Sequence, residues 1–197
     1  MAFRFFNFAV KSKEEMKAKY FGAVFLLLLT VACGRNEYSV TTADGQKLEG
    51  PAAYNDYLVA EQNRIIRRFS ELNKAYESYN RDEIERARAA LLNEIDEVIA
   101  AVEDLPPYEG DTELRDAALE MFQYYRQLAE NELKEIGDLL SKGENQITES
   151  DIDEMDRLYK RFRKEIKSYE INFADAQRAF ANKYGMKIKS KENDSLS

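Results

Sequence analysis

"TESDIDEMDRLYKRFRKEIKSYEINFADAQRAFANKYG", residues 148–185, contains no proline and no glycine before its last position. Within it Met155, Tyr159, Phe162, Ile166, Tyr169, Phe173, Ala176 and Phe180 recur at strictly alternating spacings of four and three. That rhythm lays one apolar stripe along an α-helix and leaves the charges to its other faces. A helix over 149–184 would be roughly 54 Å long at 1.5 Å per residue. Its start is marked locally. Thr148-Glu149-Ser150-Asp151 resembles a capping box with Asp151 standing in for the usual Glu, and Ile147 and Ile152 occupy the positions of a hydrophobic staple. A stripe of this length needs partner helices to cover it.

Upstream segments supply them. Over 52–79, Leu58, Ile65, Phe69, Leu72, Tyr76 and Tyr79 fall at spacings of seven, four and three. Over 81–104 the stripe is Ile84, Leu91, Ile95, Val98 and Val102. Over 112–141 it is Leu114, Ala118, Phe122, Tyr125, Ala129, Leu133, Ile136 and Leu140. Asn80 with Glu83 caps the second segment, Pro106-Pro107 stops it, and Asp111 or Thr112 opens the third. Gly143 and Gly185 stand where helix ends favour a left-handed residue. Short turns between long amphipathic helices predict an all-α fold, an antiparallel up-down four-helix bundle over residues 51–185 with a long C-terminal helix. Residues 186–197, "MKIKSKENDSLS", read as a disordered tail.

Composition agrees. Among 197 residues, 34 % are charged and 44 % hydrophobic, with only 8 Gly and 3 Pro. Residues 1–32 hold five of the 29 Lys/Arg and two of the 37 Asp/Glu, so residues 33–197 carry 24 basic and 35 acidic side chains, a net of −11. Nucleic acid and anionic surfaces repel such a body, although a local basic patch can escape the average. There is no His, which excludes Ser-His-Asp and Cys-His catalysis and His-containing zinc or di-iron sites. A single Cys permits no internal disulfide. No metal or cofactor is expected.

That cysteine closes the one strongly apolar run, "FGAVFLLLLTVACG", residues 21–34. The apolar stretch Tyr20–Ala32 is 13 residues long. A spanning helix needs about 20, whereas 10–14 suits the apolar region of a signal peptide. Lys17 and Lys19 provide the positive charge in front of it. Leu29-Thr30-Val31-Ala32-Cys33 resembles the lipobox of bacterial lipoproteins, with Thr30 where Leu is commonest. A thiolate is the best side-chain nucleophile near neutral pH. The resemblance implies that Cys33 receives a diacylglyceryl thioether and becomes the mature N-terminus. Residues 1–32 are then the signal peptide. "MAFRFFNFAVKSKEE" fits poorly before such a leader, so Met16 is the expected true start. Residues 33–50 read as a flexible tether.

The candidate sites are sparse. Carboxylates fall mostly opposite the stripes and read as solvated faces. Asp151-Ile152-Asp153 is better explained as a helix start than as a calcium loop. Of the 12 Tyr, those on stripes read as core, whereas Tyr57, Tyr108 and Tyr124 lie off-stripe or in a loop and are the candidates for contact with a partner. Gln62 and Glu132 lie close to the stripes and are candidates for setting register or for a buried site.

Several stretches resemble a family of small helical bacterial surface lipoproteins, named after a leptospiral protein and functionally undefined. They are "YNDYLVAEQ" (54–62), "LPPYEGDTELRDAALEMFQYY" (105–125), "ENELKEI" (130–136) and "FADAQRAFANKYG" (173–185). The resemblance implies a helical envelope protein and brings no catalytic residues with it. The expected role is therefore a lipid-anchored, non-enzymatic binding or structural protein of the bacterial cell envelope, at the outer membrane on its surface or periplasmic face. Its partners are the membrane, through Cys33, and a protein or envelope polymer, not nucleic acid. A periplasmic chaperone would instead expose an apolar concave face, and a carboxylate-dependent hydrolase would bring buried acids together in a pocket.

Overall fold

A computed structural model of the protein describes residues 38–186. The signal-peptide reading, Cys33 and the tail beyond Met186 fall outside the described residues.

The first described element corrects the tether. Strands β1 (Ser39–Thr41) and β2 (Lys47–Glu49) pair antiparallel, with Val40 opposite Leu48. Both of these side chains are 2 % exposed and belong to the main core. The connection turns at Asp44-Gly45, where Gly45 has φ 88°, a value that favours glycine. Thr42 closes the loop: its hydroxyl donates to the Asp44 carboxylate and accepts from the Gln46 N–H at 2.9 Å. A three-residue strand offers a single inward position, too short an alternation to stand out in the sequence.

The hairpin runs directly into helix α1 (Gly50–Tyr76), which has Pro51 in its first turn. Then come α2 (Arg81–Glu103), α3 (Glu113–Glu130), α4 (Glu132–Leu140), a 3₁₀ turn (Glu144–Gln146) and α5 (Glu149–Lys183). The described residues are thus predominantly helical, and the all-α reading stands. The Asn80 cap forms, its Oδ1 accepting from the Glu83 N–H at 3.1 Å. Asp111 fills the same role for α3, accepting from the Glu113 N–H at 3.0 Å. α1 stops at Tyr76 instead of 79, and Tyr79 takes a positive φ of 53° in the turn.

The third expected helix is broken at Asn131, whose φ −110° and ψ −85° leave the helical region. The Gln127 carbonyl accepts both the Asn131 backbone N–H at 3.0 Å and the Asn131 side-chain amide at 2.8 Å. Beyond it, Gly137 brings α4 close to α2: a Cβ placed there would lie 2.8 Å from the Ile84 Cγ2.

The core is continuous from the hairpin through α1–α5. α3 buries an unusually wide arc that includes Leu114, Ala118, Met121, Phe122, Tyr124 and Tyr125. It does so because it packs against α2 on one side and α5 on the other. α5 is uneven. Met155 and Leu158 are buried near its start, and Phe173, Phe180 and Ala181 near its end. Tyr159, Phe162, Ile166 and Tyr169 between them are only half-buried against the core.

Two tests follow from these junctions. Gly137→Ala should lower stability by about 1–3 kcal/mol through overpacking, less the ~1 kcal/mol gained in helix propensity. Denaturant titration in an Ile84→Ala background should show a smaller loss. The second test concerns Asp151. Its carboxylate accepts from Lys142 Nζ at 2.6 Å, from the Thr148 N–H at 3.0 Å and from the Thr148 hydroxyl at 2.9 Å. These bonds, the Lys142 bond foremost, take its pKa from 3.8 to about 2. Because the folded value lies below the unfolded one, its stabilisation is present above about pH 4 and is lost as pH falls toward 2. The stability gap between wild type and Asp151→Asn, followed by thermal melts, should therefore be full at pH 7 and shrink over that acid window.

Candidate functional site

Of the three tyrosines expected to meet a partner, two are core residues. Tyr108 is 2 % exposed. Its ring packs edge-on against Tyr38 and Tyr184 at centroid distances of 5.2 and 4.9 Å, and against Phe180 at 5.5 Å. The loop that carries it folds inward through a turn with positive φ at Glu109 and Gly110. An Asp111 N–H bond to the Tyr108 carbonyl closes that turn at 2.9 Å. Tyr124 is also buried and stacks on Tyr169 at 4.5 Å. Its hydroxyl lies 3.3 Å from Glu165 Oε2 and 3.4 Å from the Phe162 carbonyl. It left the expected stripe because α3 is covered on two sides. Tyr57 alone of the three keeps a half-buried, accessible position.

Tyr54, Tyr108, Phe180, Tyr184 and Tyr38 form one aromatic cluster. The Tyr54 ring stacks on Phe180 at 5.8 Å and lies 5.5 Å from Tyr108. The Tyr54 hydroxyl is fully buried with no hydrogen-bond partner. Burial lifts its pKa to about 12, so it stays neutral. Tyr76 is the contrasting case. Its buried hydroxyl donates to the Leu133 carbonyl at 2.6 Å, just past the Asn131 break.

Polar side chains form a seam inside the core. Gln177 Nε2 donates to Asn55 Oδ1 at 2.9 Å, joining α5 to α1, with both residues buried. Gln62 is buried, with Nε2 3.5 Å from the Tyr125 hydroxyl. Glu132 is half-buried and pairs with Arg161 at 2.7 Å. The Asn55–Gln177 pair escaped notice in the sequence, although Gln177 falls at stripe spacing between Phe173 and Phe180.

The carboxylates are committed to structure. Glu61 and Glu94 flank Arg64, at 2.8 and 2.7 Å, and Arg68 binds Glu94 at 3.0 Å. Burial raises Glu61 in spite of Arg64, whereas hydrogen bonds from Arg68 and Arg64 outweigh burial and lower Glu94. Glu94, held by two guanidinium groups and lowered by them, is a poor proton acceptor for a substrate. Burial also raises Glu170. Among the described residues no group of three or more His, Cys, Asp or Glu could hold a metal ion.

A cleft of about 420 Å³ opens between α2 and α4, with Arg81, Glu85 and Arg88 on one wall and Lys134 and Asp138 on the other. Lys134 pairs with Asp138 at 2.6 Å and Arg81 with Glu85 at 3.7 Å. Most of its charge is internally neutralised, and it pairs no nucleophile with a base. Compared with known proteins, the chain matches no family model, no curated protein and no solved structure. Among the described residues no helix is long and apolar enough to cross a membrane.

The two buried hydroxyls respond in opposite directions. Tyr54→Phe removes an unsatisfied polar atom and should stabilise the protein by about 1 kcal/mol, whereas Tyr76→Phe should cost about 1 kcal/mol. Chemical denaturation of both variants reads the sign directly.

Proposed function

We propose that the protein is a lipid-anchored component of the bacterial cell envelope, held at the outer membrane on its surface or periplasmic face. Its folded part serves as a non-enzymatic binding or structural module. One observation carries the reading. The lipobox-like segment ends at Cys33 and the first described strand begins at Ser39, so five residues lie between them. Fully extended, the chain from Cys33 to Ser39 reaches about 21 Å. The hairpin thus brings the body close to its anchor, where an eighteen-residue coil (33–50) would have let it wander.

The finer architecture belongs to the same proposal. We take α1, α2, the broken α3–α4 pair and α5 as the four arms of an antiparallel up-down bundle. Support comes from Tyr54 at the start of α1 stacking on Phe180 at the end of α5, and from Tyr76 at the end of α1 bonding to α4. The likeness of residues 54–62, 105–125, 130–136 and 173–185 to small helical surface lipoproteins points the same way. The net charge of −11 on residues 33–197 disfavours nucleic acid as a partner, and Tyr57 is the remaining tyrosine suited to a protein or envelope-polymer contact. The large hydrophobic side chains most exposed among the described residues, Tyr38 at 43 % and Ile171 at 46 %, stand on separate elements. That distribution favours this module over a chaperone with one broad apolar face.

Cys33→Ser tests the anchor. A hydroxyl is a far weaker nucleophile than a thiolate, so diacylglyceryl transfer should fail and the leader should stay attached. Labelled fatty acid fed to cells should mark the wild type and miss the variant. Equal labelling of both, or none of the wild type, would remove the lipid anchor.

A further inference from the structure

We propose that the end of the molecule built from Tyr38, Tyr108, Tyr184 and Met186 rests on the bilayer, with Tyr38 entering the headgroup layer of a phospholipid surface. This rests on the lipid anchor at Cys33 proposed above.

The first argument is chain length. Residues 34–37 are all that separate Cys33 from Tyr38, a reach of about 18 Å when fully extended. The lipid chains on Cys33 would lie in the hydrocarbon core, and the headgroup layer above it takes up roughly 5–8 Å of that reach. Tyr38 therefore stands within about 13 Å of the membrane surface even with the connection pulled straight.

The second argument is how Tyr38 is held. Its carbonyl accepts from the Gly50 N–H at 3.0 Å and lies 3.5 Å from the Tyr108 hydroxyl. One side of its ring lies against the Tyr108 edge, while 43 % of the residue is exposed. A fixed tyrosine with one covered and one bare side suits the boundary between apolar and wet regions.

The third argument is that the two ends of the molecule are far apart. The turn at 77–80 lies at the other end of α1, whose 27 residues span about 40 Å. The 141–148 loop shares that far end, with Glu144 close enough to Tyr79 to raise its pKa.

The chain contains no Trp, so a single introduced Trp is an unambiguous reporter. The full-length lipidated protein would be prepared as Tyr38→Trp, Met186→Trp and, at the far end, Asn145→Trp. Each would be reconstituted on phosphatidylcholine–phosphatidylglycerol vesicles with and without brominated acyl chains. Brominated lipid should quench the Tyr38→Trp and Met186→Trp emission at least twofold and leave Asn145→Trp unchanged. Vesicle flotation is read in parallel. Protein that floats with equal quenching at both ends, or with none at Tyr38→Trp and Met186→Trp, overturns this orientation while the anchor stands. Protein isolated from cells with no diacylglyceryl group on Cys33, and failing to float, overturns the anchor and the orientation together.

Discussion

The fold depends on how Tyr108 is packed. Its ring touches Tyr38 before the hairpin, Tyr54 on α1, and Phe180 and Tyr184 at the end of α5. Three segments, the start of the hairpin, α1 and the end of α5, therefore meet on one side chain carried by a loop. Edge-to-face aromatic pairs add roughly 0.5–1.5 kcal/mol each beyond their buried area. More important, they fix where α5 ends relative to where α1 begins. The rest of α5 could slide along α3 by a turn and still present a hydrophobic stripe. The aromatic joint, together with the Asn55–Gln177 bond, permits one register only.

α3 is the second organising element. It separates α2 from α5 and is buried on both flanks, which explains why its apolar arc exceeds a single stripe. The outer pair, α1 and α2, is joined across its solvent side by the Glu61–Arg64–Glu94–Arg68 network. Such surface and half-buried ion pairs add little stability individually. Here they tie α1 to α2 through side chains of both helices.

Much of this architecture was legible in the sequence because long helices repeat their signal. Each stripe offered five or more inward positions, and the Asn80 and Thr148 caps are local chemistry that the structure reproduces. What the sequence hid are features with one or two determinants. The hairpin has only Val40 and Leu48 to mark its inner face, although Asp44-Gly45 signalled a turn. Tyr108 looked exposed because loops generally are, yet the Glu109-Gly110 turn folds it inward. Tyr124 looked off-stripe because a stripe assumes one neighbour and α3 has two. Nothing in the residues around Asn131 announces a break, since the segment continues with helix-forming side chains on both sides.

The meeting of Tyr38 and Tyr184 on one ring has a topological consequence. Their ring centres lie no more than about 10 Å apart, so the first and last described residues leave the fold as neighbours. A short peptide could join Met186 to Tyr38, and the chain could be opened instead at the exposed residues Glu144–Gln146. Such a circular permutant would keep every helix-to-helix contact and lose only one surface connection. Seen in this way the order in which the helices are synthesised is one of several that the same packing would accept.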